Sequence, residues 1–193
     1  WGVTEYRAAP GLGRYLPTYT EGRDAGSLQI AGPRITVNGD LVARTQSSEY
    51  QRTPATRPLG GQLIIGLPDG SGLSLPDYRA PSITLVNEYL PVSGSDSVFE
   101  LSTRHFDEGG FSRAQLYSNG VISIGPETTL NLAAGSTLKM QAEVVDVAGN
   151  ISAPGGEIVA RSVLVNPLAA HAGPRRSGVS VGDDVSIDVS GRW

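Results

Sequence analysis

Residues 26–43 read GSLQIAGPRITVNGDLVA, and residues 136–153 read STLKMQAEVVDVAGNISA. The two stretches align without a gap at an offset of 110 residues. Leu28 faces Leu138, Ile30 faces Met140, Ile35 faces Val145, Val37 faces Val147, Gly39 faces Gly149, Leu41 faces Ile151 and Ala43 faces Ala153. The apolar alternation points survive while most polar residues between them change. That pattern marks a repeated structural unit in which only the inward positions are constrained. The period within each copy is two, so the unit is a set of strands.

The spacing of strands outside the repeat narrows the architecture. From Val121 onward, apolar pairs begin at Ile122, Leu130, Leu138, Val145, Ile151 and Ile158, spaced 8, 8, 7, 6 and 7 residues apart. Hairpins would carry more Asn-Gly or Asp-Gly turns between longer strands. Three such short strands sum to about 21–23 residues, the size of one solenoid coil. Coils stacked at about 4.8 Å would place Leu, Ile and Val in inward ladders. The spacing therefore predicts an all-β parallel solenoid of about six to eight coils. Leu28, Ile30, Ile35, Val37, Leu138, Met140, Val145 and Val147 are expected to point inward and Glu143 outward. A two-sheet sandwich or jelly roll is the competing reading.

Composition agrees with many tight corners. The 193 residues include 25 Gly and 13 Pro but few aromatics. The longest helical candidate, residues 167–172, is too short to matter. A net charge of −4 offers no basic footprint for nucleic acid or an anionic membrane. No apolar run approaches the length of a membrane-spanning helix, and no signal peptide is recognisable. Cysteine is absent, which excludes thiolate metal sites and thiol catalysis. Of the 15 basic residues, only Lys139 is not arginine, which reads as the coding bias of a GC-rich bacterium. The chain opens on Trp1 and closes on Trp193 beyond a strand-like pattern. The expectation is a single β-helix segment over residues 1–193, cut from a longer protein.

Several strings in order carry a family resemblance. They are Tyr19-Thr-Glu-Gly-Arg-Asp-Ala-Gly-Ser-Leu, Asn38-Gly-Asp-Leu, Tyr50-Gln-Arg, Gly60-Gly-Gln-Leu-Ile-Ile-Gly, Gly109-Gly-Phe-Ser-Arg, Ser152-Ala-Pro-Gly-Gly-Glu-Ile and Asp188-Val-Ser-Gly-Arg-Trp. Together they span nearly the whole chain, which resembles the filamentous-haemagglutinin-type exoproteins of bacteria. The resemblance implies a right-handed parallel β-helix, exported through an outer-membrane partner pore and serving as an adhesin or surface filament. The implied location is secreted or cell-surface, outer-membrane-associated and extracellular. Implied partners are that secretion pore, a host or bacterial cell-surface receptor or glycan, and copies of the chain itself. The family's amino-terminal secretion domain is not recognisable here, nor is a carboxy-terminal toxin domain, so an internal shaft segment is implied.

The two repeats differ after their last alanine. Ala153 leads through Pro154 to Gly155-Gly156-Glu157-Ile158, whereas Ala43 leads through residues 44–59 to the matching Gly60-Gly61-Gln62-Leu63. A solenoid corner tolerates such an insertion because the strands on both sides keep their stacking. The insert, RTQSSEYQRTPATRPL, is expected to project from the shaft. Arg44, Tyr50, Arg52 and Arg57 make it the candidate contact surface for a protein or carbohydrate partner, since Tyr and Arg favour interface hot spots. The bland alternative is a solvated or locally packed loop. A second break, residues 67–118, reads as irregular coils with long corners.

Catalytic chemistry has little to stand on in this sequence. His105 lies beside Asp107 and Glu108, the one local set offering an imidazole near carboxylates. On a strand His105 and Asp107 would share a face; the bland reading is a loop salt cluster. His171 sits among small residues and reads as solvated. Asp183, Asp184 and Asp188 lack the spacing of an EF-hand or a nonapeptide calcium repeat and read as turn and outward positions. No Walker A, HExxH or GxSxG motif is present. Asn150-Ile-Ser152 forms a glycosylation triplet. No cofactor, metal or catalysis is expected. Two further function classes stay open: a β-helical carbohydrate-active enzyme or tailspike-like polysaccharide-binding protein, and a self-assembling extracellular filament subunit.

Overall fold

A computed structural model describes residues 18–53, 55–68, 78–87, 97–163 and 177–191. The chain forms, in order, β1 (Ser27–Ile30), β2 (Gly61–Ile65), β3 (Ser82–Val86), β4 (Val98–Ser102), α1 (Arg104–Asp107), β5 (Phe111–Tyr117), β6 (Val121–Ile124) and β7 (Thr129–Asn131). It continues with β8 (Thr137–Ala142), β9 (Val144–Val147), β10 (Asn150–Ser152), β11 (Glu157–Ser162), β12 (Gly178–Val181) and β13 (Ile187–Asp188). Three sheets result, with strand orders β1-β2-β5-β8-β11, β12-β9-β6-β3-β4 and β13-β10-β7. Every pairing is parallel. The arrangement matches a right-handed parallel β-helix, so the sandwich alternative is excluded.

Alternation along each strand builds the core. Inward residues stack from rung to rung: Leu28, Leu63, Ala114, Leu138 and Ile158 in the first sheet. In the second, Phe99, Ile83, Ile122, Val145 and Val179 form one ladder, and Leu101, Leu85, Ile124, Val147 and Val181 another. Leu130, Ile151 and Ile187 form the third sheet's ladder. Leu63, Ile83, Leu85, Leu101, Leu116, Ile122, Leu138 and Val145 are all 0% exposed. Each such side chain contributes about 1.5–3 kcal/mol by leaving water. Outward positions are polar and bond along the stack, Thr84 to Ser123 at 3.1 Å and Ser180 donating to Asp146 at 2.7 Å.

The repeated unit recurs in three dimensions. Leu28 and Ile30 of β1 register with Leu63 and Ile65 of β2, as Leu138 and Met140 of β8 register with Ile158 and Ala160 of β11. Of the residues expected inward, Leu138, Met140, Val145 and Val147 are at most 1% exposed and Ile35 is 9% exposed. Ile30 and Val37 are half-buried against the core. Leu28 departs from expectation at 36% exposed, because β1 is an edge strand with no described rung beneath it. The first copy keeps only one of the second copy's three strands. Ala43 donates to the Gly109 carbonyl at 2.7 Å, so its neighbour is the corner after α1, which offers no extended ladder.

Three further expectations are corrected. Among the described residues the longest sheets have five strands, short of the six to eight coils expected. Within residues 67–118, β3 and β4 are consecutive strands that pair in one sheet, with β4 on the side of β3 away from β6. Glu143, expected outward, is 7% exposed at the corner between β8 and β9, where its carbonyl accepts from Ser162 Oγ at 2.7 Å. Its Oε2 atom is buried without a hydrogen bond. The insert 44–59 bonds to Gly22 and Asp24, ahead of β1. His105 and Asp107 lie on a helix, where a separation of two residues turns side chains to different faces, so they do not pair.

Corners are held by short polar side chains. Asn119 Oδ1 accepts from the Ala80 amide at 2.7 Å, and Ser118 Oγ donates to the Pro81 carbonyl at 2.7 Å. Asn87 accepts from the Thr129 amide at 3.0 Å, and Asn150 from the Ser186 amide at 2.8 Å. Gly149 allows a close approach: a Cβ there would meet the Gly125 and Thr128 carbonyls. At its counterpart in the first repeat, Gly39, a Cβ would meet nothing within 4 Å among the described residues.

Candidate contact surface

The insert is anchored through Gln51. This side chain is 7% exposed, and its Oε1 accepts from the Gly22 amide at 2.7 Å and the Ser48 amide at 3.0 Å. Its Nε2 donates to the Gly22 carbonyl at 2.9 Å. Asp24 Oδ1 accepts from the Leu59 amide at 2.7 Å, and the Ala25 amide donates to the Leu59 carbonyl at 3.0 Å. Thr53 and Thr56 bond to each other at 2.9 Å and tighten the turn before Arg57. These bonds pin the lobe at both ends and leave its long side chains in water.

All four candidate residues are exposed. Tyr50 stacks at a tilt on Tyr19, with ring centroids 4.8 Å apart and planes at 57°. Both rings remain about half exposed, at 45% and 44%. Arg44 lies apart from the other three, its Nε donating to the Glu108 carbonyl at the α1 corner. Arg57 borders an open depression of about 540 Å³ with Gly22, Arg23, Asp24, Gln51 and Leu59. The structure thus brings Arg57 to an open concavity and ties Arg44 to the α1 corner. It also adds Tyr19, Asp24 and Gln51, which the sequence reading had not singled out. No periodicity marks them; the strings that hold them, Tyr19–Leu28 and Tyr50-Gln-Arg, stand out only for their resemblance.

The α1 corner offers no accessible acid–base pair. His105 is 8% exposed. Burial lowers its pKa below the ordinary imidazole value, the Asp40 charge opposing this and the Arg104 charge adding to it. A neutral, enclosed ring suits packing more than proton transfer to a ligand in solvent. Arg104 and Glu108 pair at 2.9 Å on the outer face, and the Glu108 carboxyl is held below its usual range by that bond and charge. Partial desolvation raises Asp107, with the Glu108 charge adding to it.

Elsewhere, Asp183 and Asp184 lie exposed in a turn, and Asp188 accepts from the Ser190 amide at 2.9 Å. Among the described residues no three His, Asp or Glu side chains gather as a metal would need. The Asn150 amide group is engaged at its corner by the Ser186 bond. His171 lies outside the described residues. No described helix is long and apolar enough to cross a membrane. Compared with protein-family models, with curated proteins and with solved structures, the chain matches none.

Proposed function

We propose that this chain is a non-catalytic shaft segment of a secreted, surface-attached adhesin of the filamentous-haemagglutinin type. In this reading it is exported through an outer-membrane pore and presents the 44–59 lobe to a cell-surface receptor or glycan. The observation that carries the reading is a division of labour. A regular parallel ladder supplies a stiff scaffold, and one corner carries a bonded lobe with exposed Tyr50, Arg52 and Arg57. Tyrosine contributes contact area at low entropic cost, and an arginine forks onto carboxylates or phosphates of a partner. Scaffold plus decorated corner is how solenoids carry recognition.

The test compares attachment of the purified chain to bacterial and host cells with that of a Tyr50→Ala/Arg52→Ala/Arg57→Ala variant. The reading expects attachment to fall at least tenfold with an unchanged melting temperature. Equal attachment by both proteins contradicts it. Release of products from polysaccharide substrates by the wild-type chain would replace it with the enzyme reading.

A further inference from the structure

Charge is spread unevenly over the outward faces of the three sheets. The cations borne by described strands are Arg113 in β5, Lys139 in β8 and Arg161 in β11. Each alternates with an inward neighbour, Ala114, Met140 or Ala160, so all of them lie on the outward face of the first sheet. That face holds one carboxylate, Glu157. The described strands of the other two sheets hold Glu100, Asp146 and Asp188 and no cation. In a chain of net charge −4, the first sheet is thus the face whose described strands carry an excess of positive charge.

Strand register sets the cations on a line. Arg113 pairs with Thr137, and Lys139 lies two residues further along β8. Lys139 pairs with Val159, and Arg161 lies two residues further along β11. Each step therefore crosses one rung and advances two residues. Backbone positions along the diagonal are about 8 Å apart. Gln115 pairs with Lys139 and Gln141 with Arg161, so amide donors and carbonyl acceptors flank the charges. Lys139 and Arg161 are exposed, and Arg113 is half-buried with its Nε enclosed. None of these cations has an ion-pair partner among the described residues.

We propose that this face binds a linear polysaccharide bearing carboxylates, a polyuronate, laid along the diagonal of Arg113, Lys139 and Arg161. A pyranose unit is about as long as the rung spacing, so carboxylates on alternate units of an extended chain come at about the separation of these cations. Each guanidinium forks onto a carboxylate, and the ammonium meets one as a point charge. Gln115 and Gln141 take the ring hydroxyls between them. A straight row of single charges separated by amides fits a polymer with one charge per sugar. A compact anion would need the cations to converge. None of these residues belongs to the 44–59 lobe, so the proposal goes beyond the adhesin reading and fails or holds separately from it.

The experiment is biolayer interferometry of the chain on immobilised polygalacturonate, with dextran as a neutral polymer and a DNA oligonucleotide as an unrelated polyanion. The wild-type chain is expected to bind polygalacturonate, and less tightly as salt rises. Lys139→Gln/Arg161→Gln changes two exposed side chains and should weaken binding about tenfold with an unchanged melting temperature. Glu157→Gln removes the face's one carboxylate and should strengthen binding about twofold. Tyr50→Ala/Arg52→Ala/Arg57→Ala should leave it unchanged, which separates this face from the lobe. Absence of wild-type binding at low salt overturns the proposal. So does full binding by the Lys139→Gln/Arg161→Gln variant, or loss of binding in the lobe variant alone. Equal binding of dextran removes charge from the account, and equal binding of the oligonucleotide means a surface for any polyanion; either overturns the assignment to a polyuronate.

Discussion

Leu138→Ala and Leu28→Ala are the same substitution at equivalent places in the two repeats, yet their costs should differ. Leu138 is 0% exposed, with Ala114 and Ile158 as its register partners on the rungs below and above. Removing its three terminal carbons loses about 2.5 kcal/mol of transfer free energy at about 0.8 kcal/mol per carbon. The backbone ladders on both sides hold the neighbouring strands apart, so the space collapses little and a cavity term adds to the total. The sum is about 3–4 kcal/mol, within the range for enclosed leucines. Leu28 is 36% exposed with a described rung on one side only. Less area returns to water and no closed cavity forms, giving about 1 kcal/mol. The difference of about 2 kcal/mol should separate the melting temperatures by about 4–8 °C in a domain of this size. Urea titration followed by far-UV circular dichroism, at a concentration where the wild type is monomeric, measures both variants. Equal costs would refute the placement of β1 at an edge and of β8 inside the stack.

The glycine pair supplies a matching contrast. Gly149→Ala drives a Cβ into two carbonyls and should cost at least about 2 kcal/mol in chemical denaturation. Gly39→Ala should stay within about 0.5 kcal/mol in the same assay. Glu143→Gln replaces a side chain whose Oε2 is buried without a hydrogen bond, so melting should show no loss beyond about 0.5 kcal/mol; a clear loss would mean that this oxygen is engaged after all. His105 titrates below its unfolded value of 6.5, so the unfolded chain takes up its proton first. Its contribution to stability falls as the pH drops below about 6.5 and levels off below the folded pKa. His105→Gln should flatten that decline in melts between pH 7 and 5. The rise of Asp107 opposes the decline only further into acid, where the folded form protonates first. Asn87→Ala frees the Thr129 amide at its corner and should cost about 1 kcal/mol, read from the same melts.

The stacked architecture was legible because inward positions are locally encoded. The Leu138/Met140 and Val145/Val147 alternations need no long-range information to be read, and the register Leu138 to Ile158 follows from their spacing. What escaped the sequence depends on which rung lies beside a residue. Leu28 and Leu138 are identical in type and context, but only one has described neighbours on both sides. Gly39 and Gly149 differ in the same way. Glu143 sits at a corner, where alternation no longer tells inside from outside. The pairing of β4 directly beside β3 left no periodic signal, since a strand's sequence does not say which side of its neighbour it will take. At the contact lobe, Tyr50, Arg52 and Arg57 were legible as residue types in an insertion. Gln51 and Asp24 were not, because their role is to bond backbone amides of a segment distant in sequence.

The most direct test of the stacked-rung account is a set of inter-strand nuclear Overhauser contacts on the isotope-labelled chain. In parallel rungs the sequence difference between facing residues stays constant along a strand pair; in antiparallel hairpins their sum does. The account predicts contacts linking Leu138 to Ile158 and Met140 to Ala160, each 20 residues apart, and Ile83 to Ile122 and Leu85 to Ile124, each 39 apart. Contacts whose sequence numbers add to a constant across either pair of strands would contradict it.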